Sequence, residues 1–98
     1  MHIITRKRLI EFGQTHADAD GELREWERIV RAKRYTTPAT VKADFPSVDF
    51  LGKYRAVFNV RRNAYRLVVD MRFDLGRAFI RHVVTHREYE HLIKRGIL

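Results

Sequence analysis

Hydrophobic and polar positions in the first third of the chain recur at spacings that predict a short strand followed by two helices. The strand covers residues 1–5, and the first helix runs from residue 6 to about residue 16. A turn over residues 18–21, where an aspartate can cap the next helix, precedes a second helix that ends near residue 34. Apolar residues at three- and four-residue spacing give each helix one buried stripe: Leu9, Ile10 and Phe12, then Leu23, Trp26, Ile29 and Val30.

The middle of the chain, residues 35–53, is predicted to be irregular. Pro38 and Pro46 each disfavour helix immediately before them, and Gly52 adds a further break. Only residues 39–44 can form one short turn. A loop of this length in a small domain is usually packed by its own side chains, and the candidates are Val41, Phe45, Val48, Phe50 and Leu51.

Aromatic and β-branched residues after this segment predict three strands, which cover residues 54–60, 65–73 and 77–85. The connections between them are short enough for hairpins, and Asn63 can adopt the left-handed conformation that the first one needs. A closing helix begins at Thr85 or His86 and ends at Gly96. The predicted order is β-α-α-β-β-β-α. It is an α+β fold with an antiparallel sheet flanked by helices.

Alternation along these strands separates two faces of the sheet. One face is apolar and belongs under the helices: Ala56, Phe58, Val60, Tyr65, Leu67, Val69, Met71 and Phe73. The other carries Arg55, Asn59 and Arg66, an arrangement that presents arginines to a phosphate backbone. An ordinary solvated sheet face fits the same pattern.

Length and composition limit the class of protein. The chain has 98 residues, of which 45% are hydrophobic and 33% charged, which is typical of one globular domain over residues 1–98. The absence of cysteine excludes disulfides, thiol catalysis and cysteine-based zinc sites. No run reaches the ~20 apolar residues of a membrane span, and the first residues lack a signal-peptide pattern. We therefore expect a cytoplasmic protein without membrane contact.

Charge is the most informative term of the composition. Twenty Lys and Arg residues against twelve Asp and Glu give a net charge of +8. Residues 51–98 carry eleven basic and four acidic groups and hold almost all of the excess. Arginine, which pairs phosphates bidentately and stacks on bases, dominates the basic set. The imbalance indicates a nucleic-acid partner. A basic face that aids solubility, or that meets an acidic protein, is the alternative.

Histidine, tyrosine and arginine are the residues best placed for chemistry. His86 lies where the last strand gives way to the closing helix, with Thr85, Arg87 and Tyr89 nearby. An imidazole can move protons near neutral pH, although His86 can equally serve only to cap the helix. None of the five histidines forms a metal-binding motif. These residue types suit RNA cleavage through the 2′-hydroxyl, which needs neither a metal nor a cofactor.

Several segments carry a family resemblance over nearly the whole chain: MHIITRKRLIEF, KADFP, VFNV, YRLVV and THREYEHL. In this order they resemble the HigB family of bacterial toxins, within the RelE-like superfamily of type II toxin–antitoxin systems. The resemblance implies an endoribonuclease that cuts mRNA on the ribosome and so inhibits translation. It also implies a HigA-like antitoxin with a helix-turn-helix domain, through which alone the pair contacts operator DNA.

The resemblance assigns roles residue by residue. Arg66 matches the arginine that these toxins use on the scissile phosphate, and His86 falls where they place a catalytic arginine or histidine. Tyr89 resembles a tyrosine near the C-terminus of several members. Asn59 stands where RelE itself has a catalytic lysine, a departure that shifts the proton-transfer role towards His86.

Further basic residues are candidates for contacts with mRNA or ribosomal RNA. They are Lys42, Arg55, Arg61, Arg62 and Arg81, followed by Lys7, Arg8 and Arg95. Two other classes explain the charge equally well. One is a non-catalytic RNA- or ribosome-binding module, and the other is a regulator that binds an acidic protein.

Overall fold

The computed structural model describes all 98 residues and confirms the α+β class. Every predicted element is present, and a helix and a strand are added in the middle of the chain. No helix is both long enough and apolar enough to cross a membrane. The elements are β1 (His2–Ile4), α1 (Lys7–Thr15), α2 (Ala17–Ala32), α3 (Pro38–Asp44), β2 (Asp49–Leu51), β3 (Arg55–Val60), β4 (Tyr65–Arg72), β5 (Arg77–Thr85) and α4 (His86–Lys94).

The five strands form one open sheet in the order β1-β5-β4-β3-β2. Strands β3, β4 and β5 pair antiparallel through short connections, as predicted, and β2, which was not predicted, pairs antiparallel with β3. Strand β1 pairs with β5 in parallel, with Ile3 opposite Ala78. The sheet is therefore mixed and not antiparallel throughout, which corrects the prediction, because β1 and β5 are far apart in the chain and no hairpin sets their relative direction.

Helices α1 and α2 cover the apolar face of the sheet. Trp26 and Val30 of α2 are buried in the same core cluster as Leu67 and Met71 of β4. The Trp26 ring meets Phe58 edge-on, with 5.4 Å between ring centroids. Trp26 is thus a core residue, as the helical spacing predicts. Burial of each such side chain contributes about 1.5–3 kcal/mol to folding. The apolar face of the sheet is therefore held firmly against the two helices.

The first helices differ from the prediction in two respects. Helix α2 begins at Ala17, so the segment predicted as a turn is helical and only His16 separates α1 from α2. Asp18 and Asp20 occupy the first turn of α2, where a carboxylate interacts favourably with the positive end of the helix dipole. Ile10, predicted to lie in the buried stripe of α1, is 40% exposed.

The segment predicted to be irregular is more regular than expected. Thr37 accepts a hydrogen bond from the backbone of Thr40, and Thr40 reciprocates, which forms a capping box at the start of α3. Pro38 takes the first helical position, where its missing N–H costs nothing. Val41 is buried as predicted, whereas Leu51 on β2 is 37% exposed.

The connection between β3 and β4 uses different residues from those predicted. Arg61 and Arg62 take the left-handed conformation, with φ of 50° and 59°, and Asn63 does not. A backbone hydrogen bond from Ala64 to Arg61 closes the turn. The backbone carbonyl oxygen of Asn63 instead accepts a hydrogen bond from the guanidinium of Arg66. The turn therefore holds a side chain on the sheet face that α1 and α2 do not cover.

Candidate active site

Arg66 is the one charged residue among the buried residues, with 9% of its surface exposed. Its Nη1 donates to the backbone oxygens of Asn63 and Tyr65, both at 3.2 Å, and its Nη2 donates to Nδ1 of His86 at 3.0 Å. All these acceptors are uncharged, and no carboxylate pairs with Arg66. Because arginine stays protonated, the sheet face holds a buried positive charge that lacks a counter-ion. Such a position attracts an anion.

The start of α4 brings His86 to this charge. Thr85 caps the helix by accepting from the backbone of Glu88 at 3.2 Å, and Glu88 accepts from the backbone of Thr85 at 2.9 Å. The backbone N–H of His86 donates to the carbonyl of Ala64 at 2.9 Å, which fastens the helix to the β3–β4 turn. The helix cap is thus Thr85, and the alternative in which His86 serves only as the cap is wrong.

The imidazole of His86 lies between two charged groups. Its Nδ1 accepts from Arg66, so the ring proton belongs on Nε2, which is 3.0 Å from Oε1 of Glu90. Its side chain is 46% exposed and is reachable from solvent. Because Nδ1 accepts from Arg66 and Nε2–H faces Glu90, these two partners fix both the tautomer and the orientation of the ring. Glu90 was not predicted from the sequence. Its position four residues after His86 on one helix would have indicated that the two side chains are neighbours.

Tyr89 and Asn59 complete the group of predicted catalytic residues. The Tyr89 ring lies one helical turn after His86, with its centroid 5.6 Å from the guanidinium carbon of Arg66. Asn59 on β3 is directly opposite Arg66 on β4. The fold therefore brings together all four residues predicted as catalytic, although they come from two strands and a helix.

Comparison with known proteins identifies the family. A model of the HigB toxin family, described as the RelE-like toxic component of a toxin–antitoxin system, matches residues 19–92. The mRNA interferase toxin HigB of Escherichia coli K12 is 34% identical over 93 residues, which covers 92% of this chain and 88% of that protein. The chain belongs to the HigB toxin family. A further HigB mRNA interferase, from Escherichia coli O6:H1, is 28% identical over 97 residues and covers 96% and 93% of the two chains.

As a HigB toxin, the chain is the toxic component of a toxin–antitoxin system, which implies an antitoxin as its partner. The match of the family model spans every strand from β2 to β5 as well as α4 up to residue 92. It therefore includes all four residues of the candidate site. The predicted family is confirmed.

Two of the arginines predicted to bind RNA in this HigB toxin are held by one carboxylate. Arg55 donates to both oxygens of Asp70, at 2.8 and 3.1 Å, and Arg81 donates to it at 2.7 Å. Arg81 is the extra residue of a β-bulge opposite the Val68–Val69 step, and the bulge aims it at Asp70. The hydrogen bond from Arg55, then that from Arg81, holds the pKa of Asp70 below its usual range. The trio keeps one net positive charge.

Replacing Asp70 by asparagine should lower the free energy of unfolding by about 1 kcal/mol at neutral pH, because the partly buried Arg55 and the exposed Arg81 lose their shared charged acceptor. The lowered pKa means that the carboxylate stabilises the fold fully above about pH 5. This contribution disappears as the pH falls through the folded-state pKa, which lies below 3.8. Urea unfolding of wild type and Asp70→Asn, from about pH 7 down to about pH 2, measures the difference in the free energy of unfolding.

The matched control is Asp49→Asn, since Asp49 is an exposed carboxylate on β2 without an ion pair. It should change stability by less than about 0.5 kcal/mol at every pH. A difference between wild type and Asp70→Asn that stays constant down to pH 2 would contradict the role of the Asp70 charge.

The remaining basic candidates lie outside the active site of this HigB toxin. Lys42 is exposed on α3 and makes no hydrogen bond or ion pair with the site. Arg61 lies 3.9 Å from Asp18, and its backbone N–H donates to Glu22 at 3.1 Å. Arg62 is exposed in the β3–β4 turn and has no carboxylate partner. Of these three, Arg62 is closest along the chain to Arg66.

One further histidine lies on the same sheet face. His82 on β5 is opposite Val68 on β4, and Val68 lies two residues after Arg66 on the same face of that strand. Burial, and then the nearby cations Arg8, Arg55 and Arg81, hold its pKa below the usual value. A neutral His82 adds no charge to an already basic surface. No three His, Asp or Glu side chains in the chain are grouped so that they could hold a metal ion.

Proposed function

We propose that this HigB toxin is a metal-independent endoribonuclease that cleaves mRNA through the ribose 2′-hydroxyl. The observation that carries the proposal is the buried charge of Arg66, which has no carboxylate partner and contacts the imidazole of His86. An RNA phosphate is the anion that such a site and such neighbours suit. The name mRNA interferase, which the related HigB proteins carry, supports the choice of substrate.

Binding of the phosphate prepares the base. In the free site, Nη2 of Arg66 occupies the Nδ1 lone pair of His86. When a phosphate oxygen takes that donor, Nδ1 becomes free to accept the proton of the 2′-hydroxyl. Glu90, on the opposite nitrogen, then stabilises the imidazolium that forms. Binding of the substrate phosphate therefore frees the histidine to act as the base that deprotonates the 2′-hydroxyl.

The bond changes follow from this arrangement. The 2′-oxygen bonds to phosphorus while the bond to the 5′-oxygen breaks, and Arg66 stabilises the extra charge of the phosphorane. Tyr89 is placed to donate a proton to the departing 5′-oxygen or to stack on the substrate base. Asn59, across from Arg66, orients the ribose through its amide. The products carry a 2′,3′-cyclic phosphate and a 5′-hydroxyl.

The finer biological setting is also part of the proposal. Cleavage takes place in the cytoplasm on mRNA held by the ribosome, and exposed cations such as Lys42, Arg61 and Arg62 dock on ribosomal RNA. Phosphate contacts of this kind supply salt-dependent affinity without sequence preference. A HigA-like antitoxin neutralises the toxin and makes all contacts with operator DNA. A net charge of +8 supports partners that are polyanions or acidic proteins.

The chemistry of the new RNA ends tests the proposal. After brief expression of the toxin, mapping of 5′ ends should reveal discrete breaks within coding sequences. These ends should be ligatable only after treatment with a polynucleotide kinase, because they carry a 5′-hydroxyl. A substrate with 2′-deoxyribose at the cleaved position should resist.

Two results would contradict it. Ends that carry a 5′-phosphate would indicate attack by water rather than by the 2′-hydroxyl. Intact transcripts in growth-arrested cells would favour the non-catalytic module that binds RNA or the ribosome.

A further inference from the structure

A recess lies on the sheet face that carries Arg66, at the other end of strand β4. Its volume is about 410 Å³, within the range of small-ligand sites. We call it the basic recess. Its lining is dominated by cations and aromatic rings: Lys53, Tyr54, Arg55, Arg72, Phe79 and Arg81.

The basic recess has a surplus of positive charge. Asp70 is the one acidic side chain in its lining, and two of the four cationic side chains already share it. Arg72 donates to Asp74 at 3.0 and 2.7 Å, and Lys53 has no ion pair. After these pairings the recess still carries more positive than negative groups. It therefore suits an anionic ligand.

Aromatic rings in the recess lie beside these cations. The guanidinium carbon of Arg72 is 4.9 Å from the centroid of the Tyr54 ring, and Nζ of Lys53 is 5.3 Å from the same centroid. The guanidinium of Arg81 is 5.3 Å from the centroid of Phe79. Nucleobases stack on aromatic and guanidinium planes, while phosphates pair with the cations beside them. Charge and rings together favour a nucleotide over a simple anion.

The position of the recess relates it to the active site. Asp70 lies four residues after Arg66 on β4 and on the same face, so the two points are about 13 Å apart. This distance exceeds the ~3.4 Å rise of one stacked nucleotide. An RNA strand of about four or more nucleotides is therefore long enough to span both places.

We propose that the basic recess is a second subsite for single-stranded RNA, which holds a nucleotide several positions from the cleaved bond. Stacking on Tyr54 or Phe79 and phosphate contacts with Lys53 and Arg72 bind it. The proposal rests on the function proposed above, since the same RNA strand occupies the Arg66 site. It adds a determinant of affinity that acts without taking part in bond cleavage.

Binding of uncleavable RNA tests the subsite. The probes are fluorescent 2′-O-methyl oligonucleotides of twelve and three nucleotides, measured by anisotropy on the full chain. Lys53→Gln, Arg72→Gln and Tyr54→Leu should each weaken binding of the long oligonucleotide at least about five-fold. They should leave the short one unchanged. Thermal unfolding of each variant checks that the fold is retained, and the exposed Lys53 provides a variant that removes no packing.

The matched control is Arg28→Gln on α2. Arg28 is exposed and paired with the nearby Glu25, much as Arg72 is paired with Asp74, so the same charge is removed from outside the recess. Its effect on the long oligonucleotide should stay below about two-fold. An equal loss in this control, or no loss in the three recess variants, would overturn the subsite.

Two more measurements separate the possible failures. Arg66→Gln should weaken both oligonucleotides, and if it weakens neither, the function proposed above is wrong. If it weakens both while the recess variants bind normally, only the subsite is wrong. A polyglutamate peptide that competes as well as RNA of equal charge, and that loses affinity in the same variants, would assign the recess to an acidic protein and overturn the RNA subsite.

Discussion

Replacing Arg66 by glutamine is expected to lower the rate of mRNA cleavage by about 10²–10⁴-fold, because the phosphorane loses the buried cation that stabilises its charge. Arg66→Lys should also be impaired, since an ammonium lacks the planar fork that bonds to the turn, the histidine and a phosphate at once. Both variants should still fold. Removal of Arg66 leaves no buried carboxylate without a partner, and its hydrogen bonds are to neutral acceptors.

Growth arrest and the yield of 5′-hydroxyl ends, at matched protein levels, measure the effect. Arg28→Gln removes one arginine from the opposite side of the molecule and should leave both readouts unchanged. Circular dichroism and thermal unfolding verify the fold of the Arg66 variants. Full toxicity of Arg66→Gln would show that the buried charge has no part in the reaction.

Replacing His86 by glutamine should cause a loss of similar size, about 10²–10⁴-fold, because the amide can bond to Arg66 but cannot take up a proton. His86→Ala should be no more active. Glu90→Gln should reduce the rate less, since it weakens support for the imidazolium and leaves the base in place. The rate in Glu90→Gln should also depend on pH differently from wild type, a change that a purely structural role would not produce.

A comparison with Tyr89→Phe assigns the proton transfers. This variant keeps the ring over Arg66 and removes only the hydroxyl group. If His86→Gln retains activity while Tyr89→Phe loses it, the phenol and not the imidazole supplies the essential proton transfer. If both lose activity, the two groups share the roles of base and acid.

The sheet was predictable because its residues alternate, and its one irregularity also left a trace. Ile80 and Val83 both face the core, although a regular strand would place residues three apart on opposite faces. The bulge at Arg81 accounts for this spacing and turns His82 to the other face. An apolar spacing of three within a strand was thus a readable sign of the bulge. The position of Asp70 between two arginines depends on it.

The sequence predicted which residues the candidate active site brings together, but not the contacts between them. Arg66 and His86 are twenty residues apart, and their hydrogen bond depends on where α4 attaches to the β3–β4 turn. The Thr85–Glu88 cap was visible as a T-x-x-E motif. The supporting carbonyl of Asn63 was not, because it follows from the left-handed backbone of two arginines that have no intrinsic preference for it.

The attachment of α4 determines when the candidate site is complete. The five strands contain Asn59 and Arg66 but neither His86 nor Tyr89. The hydrogen bond between Arg66 and His86 therefore requires the sheet and the final helix together. A chain whose last helix is not docked on the β3–β4 turn keeps the arginine but has no imidazole beside it.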